Sequence, residues 1–186
     1  MTTIAAYHSL VLRELASVAE SISEDDAAAL AGRIRRAERI FVAGAGRSGL
    51  MMRAFAMRLM HLGFRTHVVG ETTTPGFGAR DLLIVGSGSG ETRSLAAMAE
   101  RASAAGGTVA LATVQPDSTI GRLAACVVAI PASVKEASGP SRPSVQPMGS
   151  LFEQSLLLLL DALVLRLMEE SDIAAAAMFG RHANLE

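Results

Sequence analysis

Leu82-Leu83-Ile84-Val85-Gly86-Ser87-Gly88-Ser89-Gly90-Glu91-Thr92 is the stretch on which the fold turns. Four bulky apolar residues without alternation predict a strand buried on both faces. Glycines and hydroxyls end it abruptly, and a helical segment follows from about residue 91. The same unit of short apolar strand, small-residue turn and helix recurs on either side, with strands predicted at 40–43, 66–69, 82–85, 108–112 and 126–130. Such alternation implies a parallel sheet, because parallel neighbours need a crossover and the crossover helix covers the sheet. The expected fold is α/β: a three-layer α-β-α sandwich around a five-stranded, flavodoxin-like parallel sheet.

Upstream, two helices are expected to precede the sheet. One runs from about residue 5 to 20; the other starts near Ser23, whose hydroxyl can cap it with Asp26 three residues on. Downstream, 137–149 is rich in Ser, Pro and Gly and reads as an extended connection to a final long helix beginning at Gly149 or Ser150. The 186 residues suit a single domain, with 1–38 as N-terminal helices and 39–186 as the α/β core and last helix.

The composition excludes several classes. Seventeen basic residues nearly balance 18 acidic ones, a net charge of −1, so no nucleic-acid-binding surface is indicated. Glu153 and Asp161 bracket the run Leu156 to Leu160, well short of the roughly 20 apolar residues a membrane span needs. The lone Cys126 has no partner for an internal disulfide, and Met1-Thr2-Thr3-Ile4 lacks the basic start of a secretory signal, so the expected location is cytoplasmic. The four histidines show no metal-ligand spacing.

Ligands of such sheets sit beyond the carboxyl ends of the strands, which directs attention to the loops 44–49, 70–78, 86–92 and 113–118. In the 86–92 loop, Ser87, Ser89 and Thr92 offer hydroxyls, while Gly88 and Gly90 let main-chain N–H groups approach an anion. With the positive end of the following helix, these residues form a phosphate cradle. The other reading is an ordinary Ser/Gly turn with Ser89 as a helix cap. Gly44-Ala45-Gly46-Arg47-Ser48-Gly49 fits the G-x-G-x-x-G fingerprint, and Glu71 falls roughly 20 residues on, where a ribose-binding carboxylate would lie. Alone it suggests a dinucleotide, but that leaves the hydroxyl-rich loop unexplained. Two adjacent anion-friendly loops suit a sugar phosphate better, with Gly46, Arg47 and Ser48 joining Ser87, Gly88, Ser89 and Thr92 as candidate phosphate ligands.

The two loops together resemble the sugar isomerase (SIS) domain family. Within it, Ala54-Phe55-Ala56-Met57-Arg58-Leu59-Met60-His61-Leu62-Gly63, Val69-Gly70-Glu71-Thr72-Thr73-Thr74-Pro75 and Gln146-Pro147-Met148-Gly149-Ser150-Leu151-Phe152-Glu153-Gln154 resemble the 6-phospho-3-hexuloisomerase family, over nearly the whole chain. The resemblance implies interconversion of D-arabino-hex-3-ulose 6-phosphate and fructose 6-phosphate in the ribulose monophosphate route of formaldehyde fixation, by tetramers without metal or organic cofactor. It also places a glutamate near Glu153 at the reacting carbons. A related substrate such as arabinose 5-phosphate, or a non-catalytic sugar-phosphate sensor, is an alternative.

Moving a carbonyl from C3 to C2 requires a base and a proton shuttle. Glu153, just inside the last helix, is the first candidate base; apart from the resemblance, a carboxylate there reads as a first-turn residue stabilised by the helix dipole. His61 is the second candidate, able to relay protons near neutral pH. Arg53, Arg58 and His61 span an arc of roughly 140° at about 100° per residue, one polar stripe on a largely apolar helix. His61 could equally sit on an exposed face or at an interface. The helices at 50–62 and 151–168 carry more apolar surface than one sheet face absorbs, which predicts a homo-oligomer, with the resemblance implying a tetramer.

Overall fold

The computed structural model describes residues 1–132 and 144–185, so the part of the expected connection at 137–143 lies outside the described residues. In chain order the elements are α1 (Ile4–Ala19), α2 (Glu24–Arg36), β1 (Ile40–Gly44), α3 (Gly46–Leu62), β2 (Thr66–Val68), β3 (Leu82–Gly86), α4 (Arg93–Ala104), β4 (Thr108–Thr113), α5 (Thr119–Leu123), β5 (Cys126–Ala129), α6 (Ser150–Glu170) and α7 (Ala175–Phe179). The strands form one parallel sheet in the order β2-β1-β3-β4-β5. The expected five strands are present within a residue or two of their predicted bounds. The short helices α5 and α7 have no counterpart in the sequence reading, since five residues are too few to show a helical period.

Side-chain alternation along the buried strands explains the three layers. Ile40, Val42, Leu82, Ile84, Ala110, Ala112 and Val128 face one way and pack with α2, α3 and α6. Phe41, Ala43, Leu83, Val85, Val109 and Leu111 face the other way, against α4 and α5. Ser23 caps α2, its hydroxyl accepting from the Asp26 N–H at 3.2 Å. The N-terminal helices add to the same core through Val18, Leu30 and Ile34, each 1 % exposed or less.

The long apolar helix α6 buries Leu156, Leu159, Leu160, Leu163, Val164 and Leu167. No helix among the described residues is long and apolar enough to cross a membrane. Gly86, at the end of β3, lets α6 lie this close: a Cβ there would fall 2.7 Å from Met52 Sδ and 2.9 Å from Leu156 Cδ2. Since Leu156 is nearly one turn beyond Glu153, that close approach sets the depth of the first turn of α6.

Candidate active site

β1 and β3 are neighbours in the sheet, with Gly44 opposite Gly86, so the loops that follow them lie side by side. The chain leaves β1 towards β2 and returns past β1 to β3, placing the topological switch point between these two loops.

The first loop is a tight turn into α3. A Cβ on Gly44 would lie 2.9 Å from Gly49 Cα, and one on Gly49 would lie 2.7 Å from the Gly44 carbonyl oxygen, so strand end and helix start touch through bare backbone. Gly46 takes φ 55°, a left-handed conformation suited to glycine. No side chain caps α3, and its first-turn N–H groups face the crevice end of the helix.

The second loop is held mostly by its own groups. The Ser87 hydroxyl, buried, accepts from the Gly90 N–H at 3.2 Å, and Ser89 Oγ accepts from the Glu91 N–H at 3.2 Å. The Gly88 carbonyl receives the Val114 N–H and the Thr113 hydroxyl, both at 3.1 Å, tying the loop to the end of β4. Gly90 has φ 62°, and its carbonyl accepts from the Ile120 N–H. Thr92 stands at the N-cap of α4 without making a side-chain cap, which leaves its hydroxyl beside the uncapped first turn. Glu91 accepts from the Thr119 N–H; that bond, with the Thr119 hydroxyl and nearby Arg122, holds its carboxyl below the usual range against a smaller burial effect. Glu91 therefore braces the loop.

Glu153 comes over this crevice from the first turn of α6. Arg47 Nη1 lies 2.7 Å from Glu153 Oε2 and donates to Ser150 Oγ at 2.9 Å, joining the first loop to α6. The Glu153 side chain is 12 % exposed and that of Arg47 53 %, so the carboxylate is sheltered while the guanidinium stays open to an arriving anion. The lead-in to α6 is fastened by a residue with no sequence signal. Glu14, on α1, accepts from the Ser144 hydroxyl, the Val145 N–H and the Gln146 amide at 2.8 to 3.0 Å, and Gln154 Nε2 donates to Gln146 Oε1 at 2.8 Å. Burial pushes the Glu14 carboxyl up, but the donors from Gln146, Val145 and Ser144 together outweigh it and hold the pKa below the ordinary value.

His61 is not part of this group. It lies 14 residues beyond Arg47 on α3, about 21 Å along the axis, at the opposite end of the sheet. Its ring is 3 % exposed, stacks on His182 at 5.4 Å and approaches Arg58 Nη1 at 3.4 Å, while Arg181 donates to its carbonyl at 2.9 Å. The Arg53, Arg58 and His61 stripe is thus divided: Arg53 pairs with Glu71 at 2.8 Å, and His61 is covered by the C-terminal segment. The Arg53 contact also engages the carboxylate that the dinucleotide reading assigns to a ribose.

Burial, with Arg58 and His182 beside it, lowers the His61 pKa from its ordinary 6.5. The unfolded chain then binds more protons than the folded one between that value and the lowered one. The contribution to stability is complete above 6.5 and is lost as pH falls from there. Thermal midpoints measured from about pH 7.5 down to 5.5 are expected to fall, and His61→Gln to flatten the part of that fall that His61 causes.

In the single chain the crevice is shallow. A cavity of about 50 Å³ lies under Gly44, Gly49 and Arg53, while a wider groove lies between α1, α2 and α6 and a cleft opens at the opposite, amino edge of the sheet. Among the described residues no three His, Cys, Asp or Glu side chains converge in a metal-ligating group. The chemistry on offer at the crevice is anion binding by two helix starts, Arg47 and several hydroxyls, beside a sheltered carboxylate.

Comparison with known proteins agrees with this geometry. The SIS domain family matches residues 33–158. A Bacillus subtilis protein named 3-hexulose-6-phosphate isomerase is 50 % identical over 97 % of both chains, and one of that name from Mycobacterium gastri is 47 % identical over 96 % of this chain and 89 % of its own. A solved Methanococcus jannaschii protein, for which a 3-hexulose-6-phosphate isomerase function was inferred, superposes with a TM-score of 0.83 at 32 % identity, covering 97 % of this chain and 99 % of that one. With two glycine-rich turns at the switch point of its sheet and a glutamate over them, the chain belongs to the SIS domain family and, within it, to the 3-hexulose-6-phosphate isomerases.

Proposed function

We propose that the protein interconverts D-arabino-hex-3-ulose 6-phosphate and fructose 6-phosphate. The observation that carries this is Glu153 held by Arg47 over the paired loops, in a chain so similar to named 3-hexulose-6-phosphate isomerases. The phosphate is bound by Ser87, Gly88, Ser89 and Thr92 at the start of α4, with Gly46, Arg47 and Ser48 contributing from the start of α3. The reacting carbons lie towards Glu153. Its carboxylate removes the proton from C2, the electrons form a cis-enediol between C2 and C3, and a proton is returned at C3 as the C2 hydroxyl becomes the carbonyl. The steps are proton transfers, with no net gain or loss of electrons by the sugar.

His61 cannot reach the crevice of its own chain, so its catalytic assignment requires a site shared between subunits, with the Arg181–His182 cover moved aside. Leu50, Met57 and Met60 on α3 and Leu158 and Leu165 on α6 are exposed large apolar side chains, which supports the homo-oligomer, a tetramer in this reading. A single domain, a cytoplasmic location and a role in formaldehyde fixation complete the proposal. The sensor alternative calls for a basic DNA-binding module, for which residues 1–39 are too short and too balanced in charge.

The test is formation of fructose 6-phosphate from hex-3-ulose 6-phosphate in a coupled assay, with arabinose 5-phosphate as a second arm. Turnover of the first is expected; turnover of arabinose 5-phosphate alone, or of neither, would sink the proposal. Ser89→Ala is expected to weaken binding of phosphorylated ketoses about tenfold, with kcat changed much less, because a phosphate contact is made in ground state and transition state alike. Titration calorimetry with fructose 6-phosphate reads this directly.

A further inference from the structure

The amino edge of the sheet, opposite the crevice, holds a cleft of about 550 Å³ with an unusual charge balance. Arg33 and Arg36 reach it from the end of α2, Arg65 from the turn before β2 and Arg80 from the turn before β3, while Glu38 is the one carboxylate in the lining and Thr108 adds a hydroxyl. Four guanidinium groups against one carboxylate make this a concentrated positive site in a chain whose net charge is −1.

Two of the four are already engaged. Arg80 pairs with Glu38 at 2.7 Å, and Arg33 donates to the Ala125 carbonyl at 2.8 Å. The side chains of Arg36 and Arg65, both exposed residues, make no hydrogen bond or ion pair with any of the described residues. Their backbones are nevertheless fixed. The Ile40 N–H bonds the Arg65 carbonyl at 2.8 Å, the Glu38 N–H bonds the Arg80 carbonyl at 3.0 Å, and Arg36 closes the last turn of α2. The backbone of the rim is therefore fixed, and guanidinium groups from three elements share one opening with a single carboxylate, Glu38, which Arg80 already engages.

We propose that this cleft binds a small molecule carrying two or more phosphate groups. Guanidinium forks match phosphate oxygens in pairs, and four of them entering from three elements favour an anion with more than one charged group over a single phosphate. The volume is in the range of small-molecule sites. Among the described residues no aromatic ring lines it, so the cleft recognises the phosphates rather than a stacked base. It lies at the opposite edge of the sheet from the crevice, and the proposal is independent of the reaction assigned there.

The probes are inorganic pyrophosphate and fructose 1,6-bisphosphate, titrated calorimetrically into the full chain at low salt, with orthophosphate and poly-glutamate as comparisons. Both probes are expected to bind at least tenfold more tightly than orthophosphate. Arg36→Gln combined with Arg65→Gln should weaken them at least tenfold, with Arg36→Lys/Arg65→Lys falling between. Ser89→Asp, which repels phosphate from the crevice, should leave this binding in place. Equal binding by the double Gln variant, loss of binding in Ser89→Asp, or preference for poly-glutamate over both probes overturns the proposal. Circular dichroism of the exposed double variant verifies that a loss is not one of folding.

Discussion

Replacing Glu153 by Gln is expected to lower kcat for the hexulose phosphate about a thousandfold, within the span removal of a general base produces. The amide keeps the size of the carboxylate and an oxygen for Arg47, whose own bond to Ser150 is untouched, so the first turn of α6 stays in place. It has no capacity to take the C2 proton. Affinity for fructose 6-phosphate, whose phosphate is bound elsewhere, is expected to change by less than about threefold. A fall in kcat with binding intact separates a base from a residue that merely positions the loop. Arg47, already half exposed, loses an ion pair in the variant at little cost in stability. Unchanged turnover would remove Glu153 from the mechanism and leave the crevice as a binding site alone.

Gly90→Ala is expected to be nearly as damaging by a different route. A Cβ at this position falls 1.9 Å from Ser118 Oγ and 2.5 Å from Ser118 Cβ, and the backbone φ of 62° is itself unfavourable for alanine. The left-handed conformation costs roughly 1–2 kcal/mol, and the overlap adds roughly 1–3 kcal/mol as Ser118 and the cap it provides to α5 are displaced. A total near 3 kcal/mol corresponds to a drop of about 6–12 °C in thermal midpoint for a chain of this size. Because the same residue shapes the 86–92 loop, phosphate affinity should fall along with stability. Differential scanning calorimetry with and without fructose 6-phosphate reads both effects, and a midpoint within about 2 °C of the parent would show that the turn yields without strain.

The sheet was legible in the sequence because its strands are short, uninterrupted apolar runs and its turns are glycines, signals that depend on neighbours in the chain. The crevice was legible for the same reason: the strand-to-helix loops carry their own glycines and hydroxyls. What remained hidden depends on residues far apart. Nothing near Glu14 marks it as the anchor of residues 144–146, and nothing near Arg47 selects Ser150 as well as Glu153 as its partners. His61 shows the opposite limit. Its helix, its spacing to Arg58 and its residue type all suggest a working group, yet the stacking of His182, supplied from the far end of the chain, encloses it. Arg36 and Arg65 were likewise unremarkable in sequence, since only the fold brings α2 and the turn before β2 to one opening.

The grip of Glu14 on Ser144 closes a span of 130 residues. Closing a loop so wide costs more entropy than closing the short strand-to-helix turns, so contacts of this span slow folding. The corner that carries Glu153 needs both ends of the chain: Glu14 from the first helix and residues 144–146 ahead of the last long one. In a chain made from its N-terminus, residues 44–49 and 86–92 emerge well before Glu153, whose corner cannot be fastened until residues 144–146 have joined Glu14.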